Sequence, residues 1–237
     1  MLSAGFVAGL AALLWHAALV WRSLKSGDGL SLSLATITSF IGLQLALTGL
    51  LGALQPTLRG LGAGLLALAA VSAVFASSGA AGPPEAPMSW QLQGHVLISL
   101  FAYGLLTVGA IVALYALAQD RRLRSGQLSS VNQLFAPLET TERLLFTVTG
   151  SGFAILLIAV LSGLAFVENL FAQHLMHKTV LSIVALALFG LLLAGRQFAG
   201  WRGRRAIYLY LWGFAILCLA YYGSRFILEN VLGRSWG

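Results

Sequence analysis

Apolar residues run along this chain in long unbroken stretches, and polar residues are confined to the short gaps between them. Runs able to cross ~30 Å of hydrocarbon fall at about 3–22, 30–54, 60–77, 95–118, 144–167, 178–195 and 206–228. The third is the weakest, being short and rich in alanine and glycine. The runs lack the alternation of barrel strands, so they predict helices. The fold class is therefore all-α, a polytopic membrane helix bundle of about seven transmembrane helices. Small residues within the runs, at Gly5 and Gly9, Gly60 and Gly64, and Gly150 and Gly152, would let helix backbones approach closely. No internal repeat is evident, which gives an inverted-repeat transporter no support.

Composition agrees with this pattern. Hydrophobic residues make up 59% of the 237 positions and charged residues 9%, and the mean hydropathy is +0.89. No single soluble core could hide so much apolar surface. The net charge of +7 does not indicate a nucleic-acid partner, because the basic residues sit in loops where topology explains them. The one cysteine, Cys218, lies in an apolar run, so there is no disulfide framework and no CxxC or CxxCH site. The first run is long enough to span and has no basic segment before it, so it reads as a span and not as a cleaved leader.

Three loops stand out. Residues 78–94 hold three of the five prolines. Residues 119–143 begin basic and continue as NQLFAPLETTERL, a candidate short amphipathic surface helix. Residues 196–205 (RQFAGWRGRR) are strongly basic, with Trp201 placed for the interface.

Placing the N-terminus inside puts Arg59, Arg121, Arg122, Arg124, Arg143, Arg196, Arg202, Arg204 and Arg205 on the cytoplasmic side. Arg22, Lys25, Lys178, Arg225 and Arg234 then lie opposite, and nine against five favours a cytoplasmic N-terminus and a periplasmic C-terminus.

All four histidines then fall toward the outer face. His16 precedes Arg22 by six residues, hence ~9 Å along the helix. His95 opens the fourth run, and His174 and His177 lie between the fifth and sixth. Ionisable groups inside a membrane are costly and read as functional by default. Neutral imidazole is also the usual axial ligand of haem iron. Two histidines on different helices at similar depth could hold one macrocycle, with Arg22, Lys25, Lys178 and Arg225 near the propionates. The plain reading of each is a polar residue hydrogen-bonding a neighbouring helix. The H-x-x-H of His174 and His177 lacks the glutamate and third ligand of a zinc site. No nucleophile with a base, carboxylate pair or phosphate loop is present, so an enzyme is not expected.

At these residues the chain resembles the cytochrome c assembly superfamily of CcsA/CcmC-type haem-handling membrane proteins. RSLKSGDGLSLSLATITSFIGL at 22–43 is similar to the family's R-W-x-x-S-G-H-x-P-L-S-N-x-Y-E-S helix entry. GHVLISLFAYGLLTVGAIVALYAL at 94–117 resembles its histidine-led helix. ERLLFTVTGSGFAILLIAVLSGLAF at 142–166, GWRGRRA at 200–206 and YYGSRF at 221–226 follow in the family's order, GWRG being the most specific piece.

The departures are equally informative. The tryptophan-rich WWD signature is missing, with FAQHLMHKTV in its place. One family histidine falls near Ala194, and another has no counterpart in the terminal GRSWG. The likeness is therefore to the WWD-less YpjD/HemX-like inner-membrane branch, over a single domain spanning residues 1–237. The resemblance implies non-covalent haem b, held by His95 and, in place of the missing partner, His16, with Arg22 and Arg225 at the propionates. The implied role is in cytochrome c maturation or haem homeostasis, among lipid and haem-handling or maturation proteins. The alternative is an accessory or regulatory membrane protein without haem, acting through the basic loops around Arg121–Arg124 and Arg202–Arg205.

The charge asymmetry makes a direct prediction. A reporter fused at Gly203 should be cytoplasmic and one in the 78–94 loop periplasmic; a periplasmic Gly203 would reverse the orientation.

Overall fold

A computed structural model of the chain describes residues 4–24, 34–78, 89–125, 137–166 and 173–223. Seven helices cover most of them: α1 (Ala4–Leu24), α2 (Leu34–Ala53), α3 (Arg59–Ser78), α4 (Trp90–Arg124), α5 (Leu138–Phe166), α6 (Gln173–Ala199) and α7 (Gly203–Cys218). No strand occurs among the described residues. All seven are long and apolar enough to cross a membrane, α7 together with the π turn Leu219–Gly223 that continues it. Large apolar side chains stay outside as readily as inside, with Trp15 71% and Trp212 68% exposed. That is the arrangement expected when hydrocarbon is the solvent.

The helices match the seven apolar runs, and the differences lie at their ends. α4 is 35 residues long, about 52 Å at 1.5 Å per residue, and so outruns the hydrocarbon. Its last turn carries Arg121, Arg122 and Arg124, where cations complement the helix dipole. The amphipathic helix expected within 119–143 is not a separate element where the residues are described. Residues up to 124 continue α4 and LETTERL forms the first turns of α5, while 126–136 lie outside the described residues.

The helices group into two compact units. The first combines 1–88 with 115–143 and contains α1, α2, α3, the end of α4 and the start of α5. Its α2 and α3 form a hairpin around a 3-10 turn at Pro56–Leu58. Gln55 is extended, as the residue before proline must be, and the Gln55 carbonyl accepts from Leu58 N–H at 3.0 Å. The two helices cross at glycine: a Cβ on Gly62 would lie 2.7 Å from the Gly49 carbonyl oxygen, and one on Gly49 2.8 Å from that of Gly62. Of the glycines singled out from sequence, Gly9 meets Leu50 and Gly152 meets Leu106, but Gly5, Gly64 and Gly150 face open space.

The second unit combines 89–114 with 144–237 and contains the rest of α4 and α5 with α6 and α7. Its centre is Tyr210, fully buried, whose hydroxyl donates to the Leu106 carbonyl at 2.8 Å. The ring tip lies over Gly109, where a Cβ would collide with it, and Phe189 of α6 meets the ring edge-on at 5.2 Å between centroids. Tyr103 likewise donates to the Leu217 carbonyl at 2.9 Å, tying α4 to the end of α7.

The α2–α3 crossing separates two chemically identical substitutions. Gly62→Ala should destabilise the protein by about 1–3 kcal/mol through overpacking. Gly64→Ala on the same helix should be neutral or stabilising by up to about 1 kcal/mol. Thermal unfolding in detergent measures both.

Candidate functional site

Of the four residues expected to hold a cofactor, two are enclosed by neighbouring helices. In the first unit, His16 of α1 is 9% exposed and its Nε2 is hydrogen-bonded to Ser39 Oγ of α2 at 2.9 Å. Beside it α3 packs closely on α2 because position 42 is glycine. A Cβ at Gly42 would collide with Ser72 Oγ of α3 and lie 3.5 Å from His16 Cε1. Ser72 donates its proton to the Ala69 carbonyl at 2.7 Å. His16 thus bonds α1 to α2, on the stretch of α2 where α3 packs at Gly42. To coordinate a metal through Nε2 it would have to release Ser39.

In the second unit, His95 lies in the second turn of α4. Ser89 sets the start of that helix, its hydroxyl accepting from Leu92 N–H at 3.4 Å and its carbonyl from Gln93 N–H at 3.0 Å. The His95 ring lies against Gly163 of α5, where a Cβ would come within 2.9 Å of Cε1. His95 Nδ1 is 2.9 Å from Ser162 Oγ, and Ser162 donates to the Ala159 carbonyl at 2.8 Å. The ring is thereby anchored on α5 through Nδ1, and a neutral histidine held by one nitrogen can present the other to a metal.

Arg22 is exposed in the last turn of α1. Arg225, Lys25 and Arg234 lie outside the described residues, as does the side chain of His174. His177 is exposed on α6. No three His, Cys, Asp or Glu side chains converge on a metal site among the described residues. Cys218 is half-buried and lies within the seventh span, where α7 passes into the π turn.

The residues that hold the two imidazoles, Ser39 for His16 and Ser162 and Gly163 for His95, were not singled out in the sequence. Their only trace is a polar or small residue inside an apolar run, such as the Ser-Gly pair of VLSGLAF. The GWRG segment proves to be a turn. Gly200 and Gly203 adopt left-handed φ of 64° and 61°, which ends α6 with a glycine cap and starts α7. Trp201 N–H donates to the Gly195 carbonyl at 3.0 Å, and its ring fills the space a Cβ at Gly195 would need.

Comparison with known proteins agrees with this architecture. The family model for cytochrome c assembly proteins matches residues 4–232. The inner membrane protein YpjD of Escherichia coli is 38% identical over 137 residues, 58% of this chain and 52% of that protein. An uncharacterized 28.8 kDa protein of Azospirillum brasilense is 32% identical over 150 residues, 62% of this chain and 55% of its own. The cytochrome c biogenesis protein CcsA of Guillardia theta is 23% identical over 170 residues, covering 65% and 56% of the two chains. The chain thus spans about half the length of these curated relatives. No solved structure matches it. By a match that runs nearly from end to end, the chain belongs to the cytochrome c assembly protein family, on its YpjD-like branch.

Proposed function

We propose that this is a haem-binding protein of the bacterial inner membrane that assists cytochrome c maturation or haem homeostasis. Family membership and the inner-membrane description of the YpjD relative support the setting. The observation that carries the haem reading is the His95–Ser162–Ala159 chain, 2.9 and 2.8 Å in its two links. It anchors the imidazole through Nδ1, as the supporting bond of a metal-ligating histidine does, so the residues present fit a histidine ligand to haem. When bound, haem would supply an iron centre for a neutral nitrogen donor. The chain's own part is to hold the ring: Ser162 anchors Nδ1 and Gly163 lets the ring lie against α5.

His16 is the candidate for the second axial position on the strength of its place in the sequence. Arg22 and Arg225 keep their proposed role at the propionates. With the WWD signature and a second family histidine missing, the protein holds haem and does not attach it to apocytochrome c.

Haem-loaded protein, purified in detergent, should show a Soret band that His95→Ala abolishes or shifts. Ser162→Ala should weaken haem binding by roughly 10–100-fold, the usual loss when a ligand's supporting hydrogen bond is removed, while Ser162→Thr retains it. His16→Ala should convert a six-coordinate low-spin spectrum to a high-spin one. A spectrum unchanged by His16→Ala and His95→Ala together would overturn the assignment. Co-expression with an apocytochrome, in a host lacking every cytochrome c maturation system, should yield no holocytochrome; its appearance would show that the chain attaches haem.

A further inference from the structure

The regular ladder of α7 gives way at Cys218 to the π turn Leu219–Gly223. Such turns are rare and sit frequently at functional sites. A change from four-residue to five-residue bonding leaves the carbonyls at the junction less regularly served. This junction lies inside the seventh span, where there is no water to make up the difference.

The help comes from α4. Tyr103 donates its hydroxyl to the Leu217 carbonyl at 2.9 Å, two residues before the turn. Its ring meets Tyr221, in the middle of the turn, edge-on at 5.8 Å between centroids. Ala220 is fully enclosed, and the turn packs on α6 as well. α4 and α7 run antiparallel here, Leu106 pairing with Tyr210 and Tyr103 with Leu217. Continued outward, the same pairing brings Gly223, the end of the turn, level with the first turns of α4, where His95 stands.

We infer that Tyr103 is a positioning residue for the His95 site, holding the end of α7 in π register and so choosing which of its residues face α4 at that level. The inference rests on the haem reading given above. An α turn closes with one residue fewer than a π turn. Without the hydroxyl the turn would relax to α bonding, and each side chain beyond it would swing by about 100° around the axis, one residue's share of an α turn. The wall of the site opposite His95 would change while α4 itself stayed in place.

The test compares Tyr103→Phe with Tyr210→Phe in the full chain in detergent. Both remove one tyrosine-to-carbonyl bond between the same two helices, and Phe keeps each ring, but only the first bond is made at the π turn. Hydrogen exchange on haem-free protein should be faster at 219–223 in Tyr103→Phe, by roughly two- to tenfold for one lost hydrogen bond, and unchanged there in Tyr210→Phe. With haem bound, Tyr103→Phe should shift the Soret maximum and Tyr210→Phe should not. Deleting Leu219, 58% exposed, from Tyr103→Phe removes the extra residue of the turn and should return the spectrum toward that of wild type. Unchanged exchange at 219–223 in Tyr103→Phe would overturn the inference whatever the spectrum. Equal effects of the two substitutions would overturn it too, reducing Tyr103 to a general stabiliser. A folded deletion variant whose spectrum does not recover would show that register is not what Tyr103 controls. A wild-type protein with no Soret band, but with the expected exchange, would overturn the haem reading and leave the hold on the π turn standing.

Discussion

Inside hydrocarbon no water is available to take a hydrogen bond, so each polar group within a span must find its partner in the chain. The hydroxyls here meet that demand in one way repeatedly. Thr48 donates to the Gln44 carbonyl, Thr107 to Tyr103 and Thr149 to Leu145, at 2.6–2.8 Å. Ser72 and Ser162 donate to carbonyls three residues back. A hydroxyl used this way keeps only acceptor capacity toward a neighbouring helix. At Ser162 the oxygen also meets an imidazole, so a routine solution to backbone solvation on α5 holds the ring of His95 on α4.

The same solvent removes the usual reason for helices to associate, since lipid tails are as apolar as leucine. Close fit has to serve instead. α2 and α3 meet backbone to backbone at Gly49 and Gly62. α4 and α7 meet through Tyr210, whose hydroxyl reaches the Leu106 carbonyl only because Gly109 leaves room for the ring. Such contacts tolerate little change in volume, whereas the lipid-facing positions around Trp15 and Trp212 are free of that constraint.

The spans were legible because continuous hydrophobicity over about 20 residues has few other meanings. His95 was legible as an ionisable group opening an apolar run and through its family resemblance. Which faces pack together was not legible. These helices are apolar all round, so periodicity marks no inner stripe, and nothing in the pattern separates Gly62 from Gly64. Ser162 was hidden for the same reason: its role depends on facing His95, 67 positions away in the chain. The GWRG segment was recognisable as a signature, but its meaning as a left-handed glycine turn required the backbone angles.

The border between the two compact units falls inside helices, between Leu114 and Tyr115 in α4 and between Arg143 and Leu144 in α5. Modular proteins are divided at linkers, where a cut or a fusion severs few backbone bonds of regular structure. Here each division would break an α-helical hydrogen-bond ladder in two. The units can be told apart by their packing, yet neither can be lifted out whole without cutting a helix. For a gene under selection, that turns two structural bodies into one heritable part.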